Sequence, residues 1–285
     1  MNKFDLIKYI VVDLDDTLLT KDKKISIKTI RVLKKAKKNG YQLVFNTSRS
    51  KQNSEKYFEE VHADFGIFSG GCHIVNKEGK DLYSRTIPAK EVEDIINHLK
   101  EVCPKLSVQT KTTFYASDKE YKGQNAIYYD FNKPFHKPAY KILCLSDNHK
   151  LIEEIANKNN LEFQNYLGRG WHRLSIKGAN KWNGLLKFLE IVKGTPEECM
   201  SFGDDFGDLD MILNSGVGVA MKNSQKEVLD AALYATNSNE EDGVASYIEH
   251  TLLNKEKRKA IKRTNKKIKK AFKHTKRKAR KEKKE

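Results

Sequence analysis

Short apolar runs alternate with segments of helical periodicity in the first part of the chain. Residues 10–12 form an apolar run typical of a buried strand, and residues 41–45 and 65–68 form two more. Apolar residues recur at helical spacing over 27–36, and Asn39-Gly40 is expected to end this helix. Strands that alternate with helices predict an α/β fold, a parallel sheet with helices on both faces.

The same alternation returns near the end of the chain. Lys181 is predicted to open an amphipathic helix, and apolar strands are predicted at 200–202 and 217–221. Four apolar residues of this helix are expected to face inward: Leu185, Leu186, Phe188 and Leu189.

The middle of the chain has a different pattern, in which helices are grouped with several strands. Its predicted helices lie at 89–102 and 150–159, and its predicted strands at 106–110, 126–129, 142–145, 161–166 and 172–176. Two groups of a helix with several strands, inserted between the two parts of the alternating strand–helix pattern, indicate a separate, smaller α+β domain. The expected organisation is a core in two parts (1–83 and 178–253), an inserted domain (84–177) and a C-terminal tail (254–285).

Composition narrows the class of protein. A chain of 285 residues with 38% hydrophobic content can bury one large core or two smaller ones. We find no apolar stretch long enough to span a bilayer and no signal-peptide pattern. The four cysteines are scattered, which fits neither a zinc site nor a disulfide framework, so we expect a cytoplasmic protein.

The net charge of +16 is concentrated in the tail. Residues 254–285 hold 18 Lys and Arg against three Glu, a net charge of +15, which leaves the other 253 residues near +1. A thin apolar stripe formed by Ile261, Ile268, Phe272 and Ala279 fits a frayed helix, and a solvated disordered extension is an equal alternative. The functional interpretation of this segment is non-specific binding of a polyanion, RNA first and anionic lipid second.

Three carboxylates follow the first predicted strand directly: Asp13, Asp15 and Asp16. Carboxylates are rarely buried unless they are paired or bound to a metal. If the strand continues to Asp15, the side chains of Asp13 and Asp15 point the same way, and a divalent cation would keep both ionised. The alternative is an acidic turn capped locally by Asp16-Thr17, but the pattern favours catalysis.

Three further polar clusters stand at the ends of predicted elements. Thr47 follows the second strand, and residues 203–208 (Gly-Asp-Asp-Phe-Gly-Asp) follow a later one. Lys181 lies near a helix N-terminus, where a lysine opposes the helix dipole unless an anion lies beside it. The alternative for residues 203–208 is an Asp-rich surface turn, and the alternative for Lys181 is an ordinary solvated lysine. Because ligands of parallel sheets bind beyond the carboxyl ends of strands, these clusters are candidate site residues.

These clusters, in this order, resemble the motifs of the haloacid dehalogenase superfamily, specifically its Cof-type phosphatases with a C2 cap. Residues 13–17 resemble the first motif, Thr47 the second, Lys181 the third and residues 203–208 the fourth, within a resemblance that covers about 6–252. The resemblance implies a Rossmann-like, doubly wound parallel sheet with an inserted α+β cap of the C2 type.

The resemblance also implies hydrolysis of a phosphomonoester in two displacements. Asp13 would attack phosphorus to form an aspartyl-phosphate, and Asp15 would protonate the leaving alkoxide and then activate water. The implied phosphate-binding groups are Thr47, Lys181 and the backbone N–H groups of Leu14 and Ser48. The implied substrate is a small phosphorylated metabolite: a sugar phosphate, a nucleotide or a cofactor phosphate.

One Mg²⁺ ion is implied as the cofactor. Its ligands would be the Asp13 carboxylate, the main-chain oxygen of Asp15 and Asp204, while Asp208 would orient Lys181 or the metal-bound waters.

Three positions depart from the family pattern. Gly207 stands where these phosphatases often have an Asn that contacts phosphate, Ser48 replaces a common Gly, and residues 69–71 replace a frequent Asn-Gly pair. None of the three removes the nucleophile, the acid or a metal ligand, so they bear on substrate affinity and choice. The cap residues considered for substrate selection are Arg173, His172, Tyr128 and Lys177.

Two alternative functions stay open at this point. One is a hexose-phosphate mutase, which shares this core and cap type. The other is a nucleic-acid- or ribosome-associated protein that uses the basic tail, although the intact motif residues argue against an inactive scaffold. A receiver domain is excluded by the Asp-x-Asp spacing and by the insertion.

Removal of residues 254–285 should abolish retention on heparin or RNA and leave phosphatase turnover unchanged. The basis is counterion release, so binding of the full chain should weaken steeply from low to physiological salt. The measurement is elution salt on a heparin column for both proteins. Retention of the truncated body, which carries only about one net charge, would place the polyanion site elsewhere.

Overall fold

The computed structural model describes residues 3–121, 125–166 (Tyr166 by its backbone alone) and 170–254, so residues 255–285 of the predicted tail lie outside the described residues. The strands are β1 (Tyr9–Val12), β2 (Gln42–Asn46), β3 (Phe65–Phe68), β4 (His73–Asn76), β5 (Asp81–Ser84), β6 (Lys105–Gln109), β7 (Phe114–Ala116), β8 (Ile127–Tyr128), β9 (Lys141–Leu145), β10 (Leu161–Tyr166), β11 (Trp171–Ile176), β12 (Cys199–Gly203), β13 (Val217–Met221) and β14 (Tyr234–Thr236). The helices are α1 (Lys3–Leu6), α2 (Ile27–Lys38), α3 (Lys51–Val61), α4 (Ala89–Leu99), α5 (His149–Lys158), α6 (Lys181–Val192), α7 (Leu209–Asn214), α8 (Lys226–Ala231) and α9 (Gly243–Ile248).

Eight strands form the core sheet, in the order β14-β13-β12-β1-β2-β3-β4-β5. The strands from β14 to β3 are parallel, and β4 and β5 add an antiparallel edge. In β1, Ile10 and Val12 pack on one face with α2 and α9, whereas Tyr9 and Val11 pack on the other face with α6. This alternation is the period of two that a strand imposes, and it confirms the predicted α/β fold with helices on both faces.

A second sheet of six strands, in the order β10-β11-β9-β6-β7-β8, is built from residues 105–176. Its neighbouring strands are antiparallel, except that β7 and β8 are parallel. The row Val108, Ile142 and Leu174 is buried against α4 and α5. The adjacent rows, which include Lys141 and Arg173, point to the opposite face because successive residues of a strand alternate. One face of this sheet is therefore apolar and the other largely polar.

The parallel core strands bring the polar clusters to one edge. Asp13 follows β1, Thr47 follows β2 and Asp204 follows β12, and these three strands are parallel neighbours. Since the carboxyl ends of parallel strands meet at the same edge, residues far apart in sequence come together there.

One detail of the pattern-based prediction is wrong, and one condition set by it is not met. The first strand ends at Val12 as predicted and does not continue to Asp15, because the chain turns there and Asp16 adopts a left-handed conformation with φ of 56°. In α6, Leu186 is 39% exposed, whereas Leu185, Phe188 and Leu189 are buried as expected. Leu186 lies about 100° around the helix from Leu185 and so falls outside the buried stripe.

The pattern also misses several short strands and one helix boundary. It does not predict β4, β5, β7 or β14, which have three or four residues each and carry little period-two signal. Helix α4 ends at Leu99, three residues before the predicted end. Among the described residues, no helix combines the length and the apolar character needed to cross a bilayer.

Helix α6 packs very closely against the turn after β3 (Ser69–Gly71). A Cβ atom on Gly184 would overlap the backbone of Gly71, and one on Gly71 would overlap the carbonyl oxygen of Asn180. Gly71 also has a φ of +93°, which side-chain-bearing residues rarely adopt. Asn180 caps the N-terminus of this helix. Its side chain accepts a hydrogen bond from the backbone N–H of Asn183 at 2.7 Å. This close contact places Lys181, the first residue of α6, at the edge of the sheet.

Gly184→Ala should lower the free energy of unfolding by about 1–3 kcal/mol, because the new methyl group has no room against Gly71. In an open helix position the same substitution would stabilise by about 0.5–1 kcal/mol. The measurement is urea unfolding, with Leu186→Ala at the exposed position of the same helix as the control. A Gly184→Ala protein as stable as the parent would show that the contact with Gly71 is not tight.

Candidate active site

A buried lysine, Lys181, lies between two carboxylates. Its Nζ atom is 2.9 Å from Oδ1 of Asp13 and 2.7 Å from Oδ1 of Asp208, and all three side chains are buried. Burial alone would lower the pKa of Lys181, but the two adjacent carboxylates raise this pKa well above its ordinary value. The structure therefore brings the first, third and fourth predicted motifs together around a charged ammonium group.

Asp208 also holds the loop that follows β12. Its Oδ2 atom accepts the backbone N–H groups of Asp204 at 3.2 Å and Asp205 at 3.4 Å. Gly203 leaves the space for this carboxylate, since a Cβ atom there would overlap the Asp208 side chain. With one oxygen on Lys181 and the other on the loop, Asp208 is placed to orient both.

A group of three carboxylates could hold a cation. One oxygen each of Asp13, Asp204 and Asp208 lie within 4.8 Å of one another. Burial raises the pKa of Asp13 to about 7, even though Lys181 opposes this shift. Burial also raises the pKa of Asp204 to about 7, although a hydrogen bond from Oγ1 of Thr17 at 2.6 Å acts the other way. Without added positive charge, these two carboxyl groups are only partly ionised at neutral pH.

The donor set suits Mg²⁺. Three carboxylates against one ammonium leave a formal charge of −2, which a divalent cation would neutralise. Mg²⁺ prefers oxygen ligands and binds through one or two carboxylates with water. Because Asp208 is engaged by Lys181 and by backbone N–H groups, Asp13 and Asp204 are the carboxylates that remain for the ion.

Asp15 lines the same cavity but does not belong to this group of three carboxylates. Its two oxygens accept hydrogen bonds from Nε and Nη2 of Arg49, both at 2.6 Å, and Oδ1 also accepts one from Nζ of Lys23 at 2.9 Å. Partial burial would raise the pKa of Asp15, but the bonds and charges of Arg49 and Lys23 outweigh it and lower the pKa to about 2. The condition under which the Asp13 and Asp15 carboxylates would share one cation, a strand that continues to Asp15, is therefore not met. The turn after Val12 sends the Asp15 side chain to the two basic residues.

The loop after β2 lines the site with main-chain and side-chain groups. Thr47 is buried, and its Oγ1 accepts the backbone N–H of Arg49 at 3.2 Å. Thr47 and Ser48 both line the main cavity. Leu14 is fully buried and is not among the cavity-lining residues.

A cavity of about 700 Å³ lies between this edge of the core sheet and the polar face of the six-stranded sheet. The core side carries the predicted residues, with the exposed Gly207 on the loop after β12. The opposite wall includes Lys141, Arg173, Phe163 and Trp171. Nζ of Lys141 donates a hydrogen bond to the backbone oxygen of Ser48 at 2.9 Å, which joins the two walls.

Of the four residues considered for substrate selection, Arg173 lines the cavity. His172 points to the other face of β11, where Nε2 is 2.9 Å from the backbone oxygen of Ser146. Tyr128 and Lys177 are exposed and are not among the cavity-lining residues.

Predicted site residues also contact residues that the sequence analysis did not single out, including Thr17, Lys23, Arg49 and Lys141. Thr17 and Arg49 carry a usable signal, because they belong to the same short loops as Asp13 and Thr47. Lys141 carries no such signal, because a lysine at the start of an apolar strand is normally expected to lie at a solvent-exposed strand end.

Known proteins with similar sequences and folds identify the family of this chain. A family model described as haloacid dehalogenase-like hydrolase matches residues 10–248. The chain is 28% identical over 254 residues to the 5-amino-6-(5-phospho-D-ribitylamino)uracil phosphatase YcsE of Bacillus subtilis, covering 87% of this chain and 96% of that protein. It is 25% identical over 284 residues to phosphatase YwpJ of the same organism, covering 86% and 100%.

A solved structure shows the same fold. The crystal structure of a haloacid dehalogenase-like hydrolase from Bacteroides thetaiotaomicron superposes with a TM-score of 0.74 at 26% identity, covering 85% of this chain and 98% of that one. These matches confirm the assignment from sequence to this superfamily and to its phosphatases. The chain belongs to the haloacid dehalogenase-like hydrolases.

Proposed function

We propose that this protein hydrolyses the phosphomonoester of a small metabolite through an aspartyl-phosphate on Asp13, with Mg²⁺ as the cofactor. The observation that carries this proposal is the buried contact of Asp13 with Lys181 beside Asp204, next to a cavity large enough for a metabolite. A buried carboxylate held beside an ammonium group, with open space in front of it, is suited to attack an anionic phosphoryl group.

In the first displacement, a bond forms between an Asp13 oxygen and phosphorus while the bond from phosphorus to the leaving oxygen breaks. Lys181 and Thr47 stabilise charge on the transferring group, together with the backbone N–H groups of Leu14 and Ser48. In the second displacement, water attacks phosphorus and Asp13 is released with its carboxylate intact. When bound by Asp13, Asp204 and the main-chain oxygen of Asp15, Mg²⁺ supplies positive charge that keeps Asp13 ionised.

Asp15 supplies the proton to the leaving alkoxide and later takes one from the attacking water. Its contacts with Arg49 and Lys23 keep it ionised at neutral pH, which suits the base role of the second displacement. For the acid role, these contacts have to be exchanged for contacts with substrate, because a carboxyl group with a pKa of about 2 rarely carries a proton.

The inserted segment 84–177 acts in this proposal as a cap that closes over the leaving group. Its six-stranded sheet forms the wall of the cavity opposite Asp13. The relatives named as phosphatases, one of them for a phosphorylated ribitylaminouracil, support a small phosphorylated metabolite as the substrate class. All four cysteines are free and buried, which supports a reducing, cytoplasmic environment.

Asp13→Asn and Asp15→Asn should each abolish Mg²⁺-dependent turnover of alkyl phosphates, for different reasons. Asp13→Asn removes the nucleophile, so it should be inactive on every phosphoester. Asp15→Asn keeps the nucleophile and should partly recover activity on p-nitrophenyl phosphate, whose leaving group needs no proton, although the base of the second displacement is still missing. The measurement is the initial rate on both ester types.

Asp22→Asn is the matched control, because Asp22 is an exposed carboxylate on the neighbouring turn. Turnover of p-nitrophenyl phosphate by Asp13→Asn at close to the parent rate would refute the proposed mechanism.

Mg²⁺ should stabilise the parent protein and fail to stabilise Asp204→Asn. At a Mg²⁺ concentration one hundred times the Kd, linkage predicts about 2.7 kcal/mol, or a rise in Tm of about 5 °C. The measurement is thermal unfolding with Mg²⁺ and with EDTA. Asp210→Asn, an exposed carboxylate on α7, is the control and should keep the full shift. An equal shift in Asp204→Asn would remove Asp204 from the metal site.

A further inference from the structure

Two buried cations, Lys141 and Arg173, lie on the cavity wall opposite Asp13. Their side chains are 5% and 7% exposed, and both line the cavity. They stand on neighbouring strands, β9 and β11, in rows that point to the same face. Within the described parts of the chain, neither is paired with a carboxylate.

The hydrogen-bonding capacity of these cations is mostly unused by the protein. Lys141 donates to the backbone oxygen of Ser48 at 2.9 Å, and Nη2 of Arg173 donates to the backbone oxygen of Ala179 at 3.2 Å. Nε of Arg173 is buried without a partner among the described residues. A lysine has three donors and an arginine five, so several N–H groups remain for a ligand. Ser107, also buried, adds a hydroxyl to the same part of the cavity wall.

Two adjacent buried cations without counter-ions are costly for the free protein. Burial, with the charge of Arg173 added, lowers the pKa of Lys141 to about 7, so the ammonium is easily lost. Buried charges are normally paired. An anion bound between these side chains would provide the missing pair.

The transferring phosphoryl group is not this anion. That group has to lie against Asp13, where Lys181 and Thr47 are available on the core side. Lys141 and Arg173 reach the cavity from the six-stranded sheet, the wall that would face the rest of the substrate.

We propose that Lys141 and Arg173 form a subsite for a second anionic group, a carboxylate or a phosphate, on the leaving group of the substrate. This inference rests on the proposed function and narrows it to phosphomonoesters whose alcohol part is itself an anion. Lys141 and Arg173 are then specificity-determining residues. They discriminate substrates by charge and leave the chemistry at Asp13 unchanged.

The test compares esters that differ by one anionic group. The pairs are glycerol 3-phosphate with 3-phosphoglycerate, for a carboxylate, and fructose 6-phosphate with fructose 1,6-bisphosphate, for a phosphate. Each ester is assayed for kcat/KM with Mg²⁺ and titrated by calorimetry without it, so that binding is read independently of turnover. The parent should prefer the doubly anionic member of at least one pair, and the preferred pair identifies the second anion.

Lys141→Met and Arg173→Met should each reduce kcat/KM and affinity for the preferred ester by about 10- to 100-fold, the effect of one charge-assisted hydrogen bond. Arg173→Met should lower kcat/KM for p-nitrophenyl phosphate by a much smaller factor than for the preferred ester, because this ester has no second anionic group. Lys141→Met also loses its hydrogen bond to Ser48, so it is judged on the ratio of the two kcat/KM values, which should fall about 10- to 100-fold. Lys150→Met, which removes an exposed lysine of α5, should change neither value.

A stability measurement separates this role from a structural one. Lys141→Met removes an unpaired buried charge, so the free variant should unfold at the same or a higher temperature than the parent. A lower Tm with equal losses on all esters would make Lys141 a structural residue and overturn the subsite. Equal affinity for both members of both pairs would also overturn it. Inactivity of the parent on every ester, with the binding preference retained, would instead refute the proposed hydrolysis and leave the anion subsite standing.

Discussion

The contact of the Lys181 ammonium group with Asp13 and Asp208 is the interaction on which the site depends. Removing one partner of a buried charge pair leaves an uncompensated charge, at a cost of about 3–5 kcal/mol. Three features of the fold serve this contact: the cap at Asn180, the close approach of α6 to Gly71, and the space that Gly203 leaves for Asp208. The first two position Lys181 and the third admits Asp208, so that charged groups from different parts of the chain meet at the edge of the core sheet.

The charges around the cavity are divided between its two walls. On the core side, three carboxylates outnumber one buried lysine, and burial raises the pKa of Asp13 and Asp204 to about 7. On the opposite wall, Lys141 and Arg173 have no carboxylate partner in the described parts of the chain. Both walls are therefore incomplete without ligands, the first needing a cation and the second an anion. A phosphorylated metabolite that carries a second anionic group, bound together with Mg²⁺, would satisfy both requirements.

The positions of the motif residues could be predicted from sequence because they follow from local rules. Apolar runs mark the strands, and a parallel sheet brings the residues after those runs to one edge, as it does for Asp13, Thr47 and Asp204. The contacts of Asp15 with Arg49 and Lys23 could not be predicted. They depend on a left-handed turn at Asp16 that no periodicity reports. The burial of Lys141 could not be predicted from sequence either, because it depends on how the two sheets face each other.

The most direct test of the account is a search for the covalent phosphoenzyme. Parent protein is mixed with Mg²⁺ and a turned-over phosphomonoester, quenched in acid within milliseconds, digested and analysed by mass spectrometry. The account predicts that the peptide containing Asp13 gains the mass of one HPO₃ group, and that hydroxylamine, which cleaves acyl phosphates, removes it. Phosphorylation of a peptide that lacks Asp13 would contradict nucleophilic attack by Asp13. The absence of any phosphorylated peptide in the pre-steady state, while the ester is turned over rapidly, would contradict it as well.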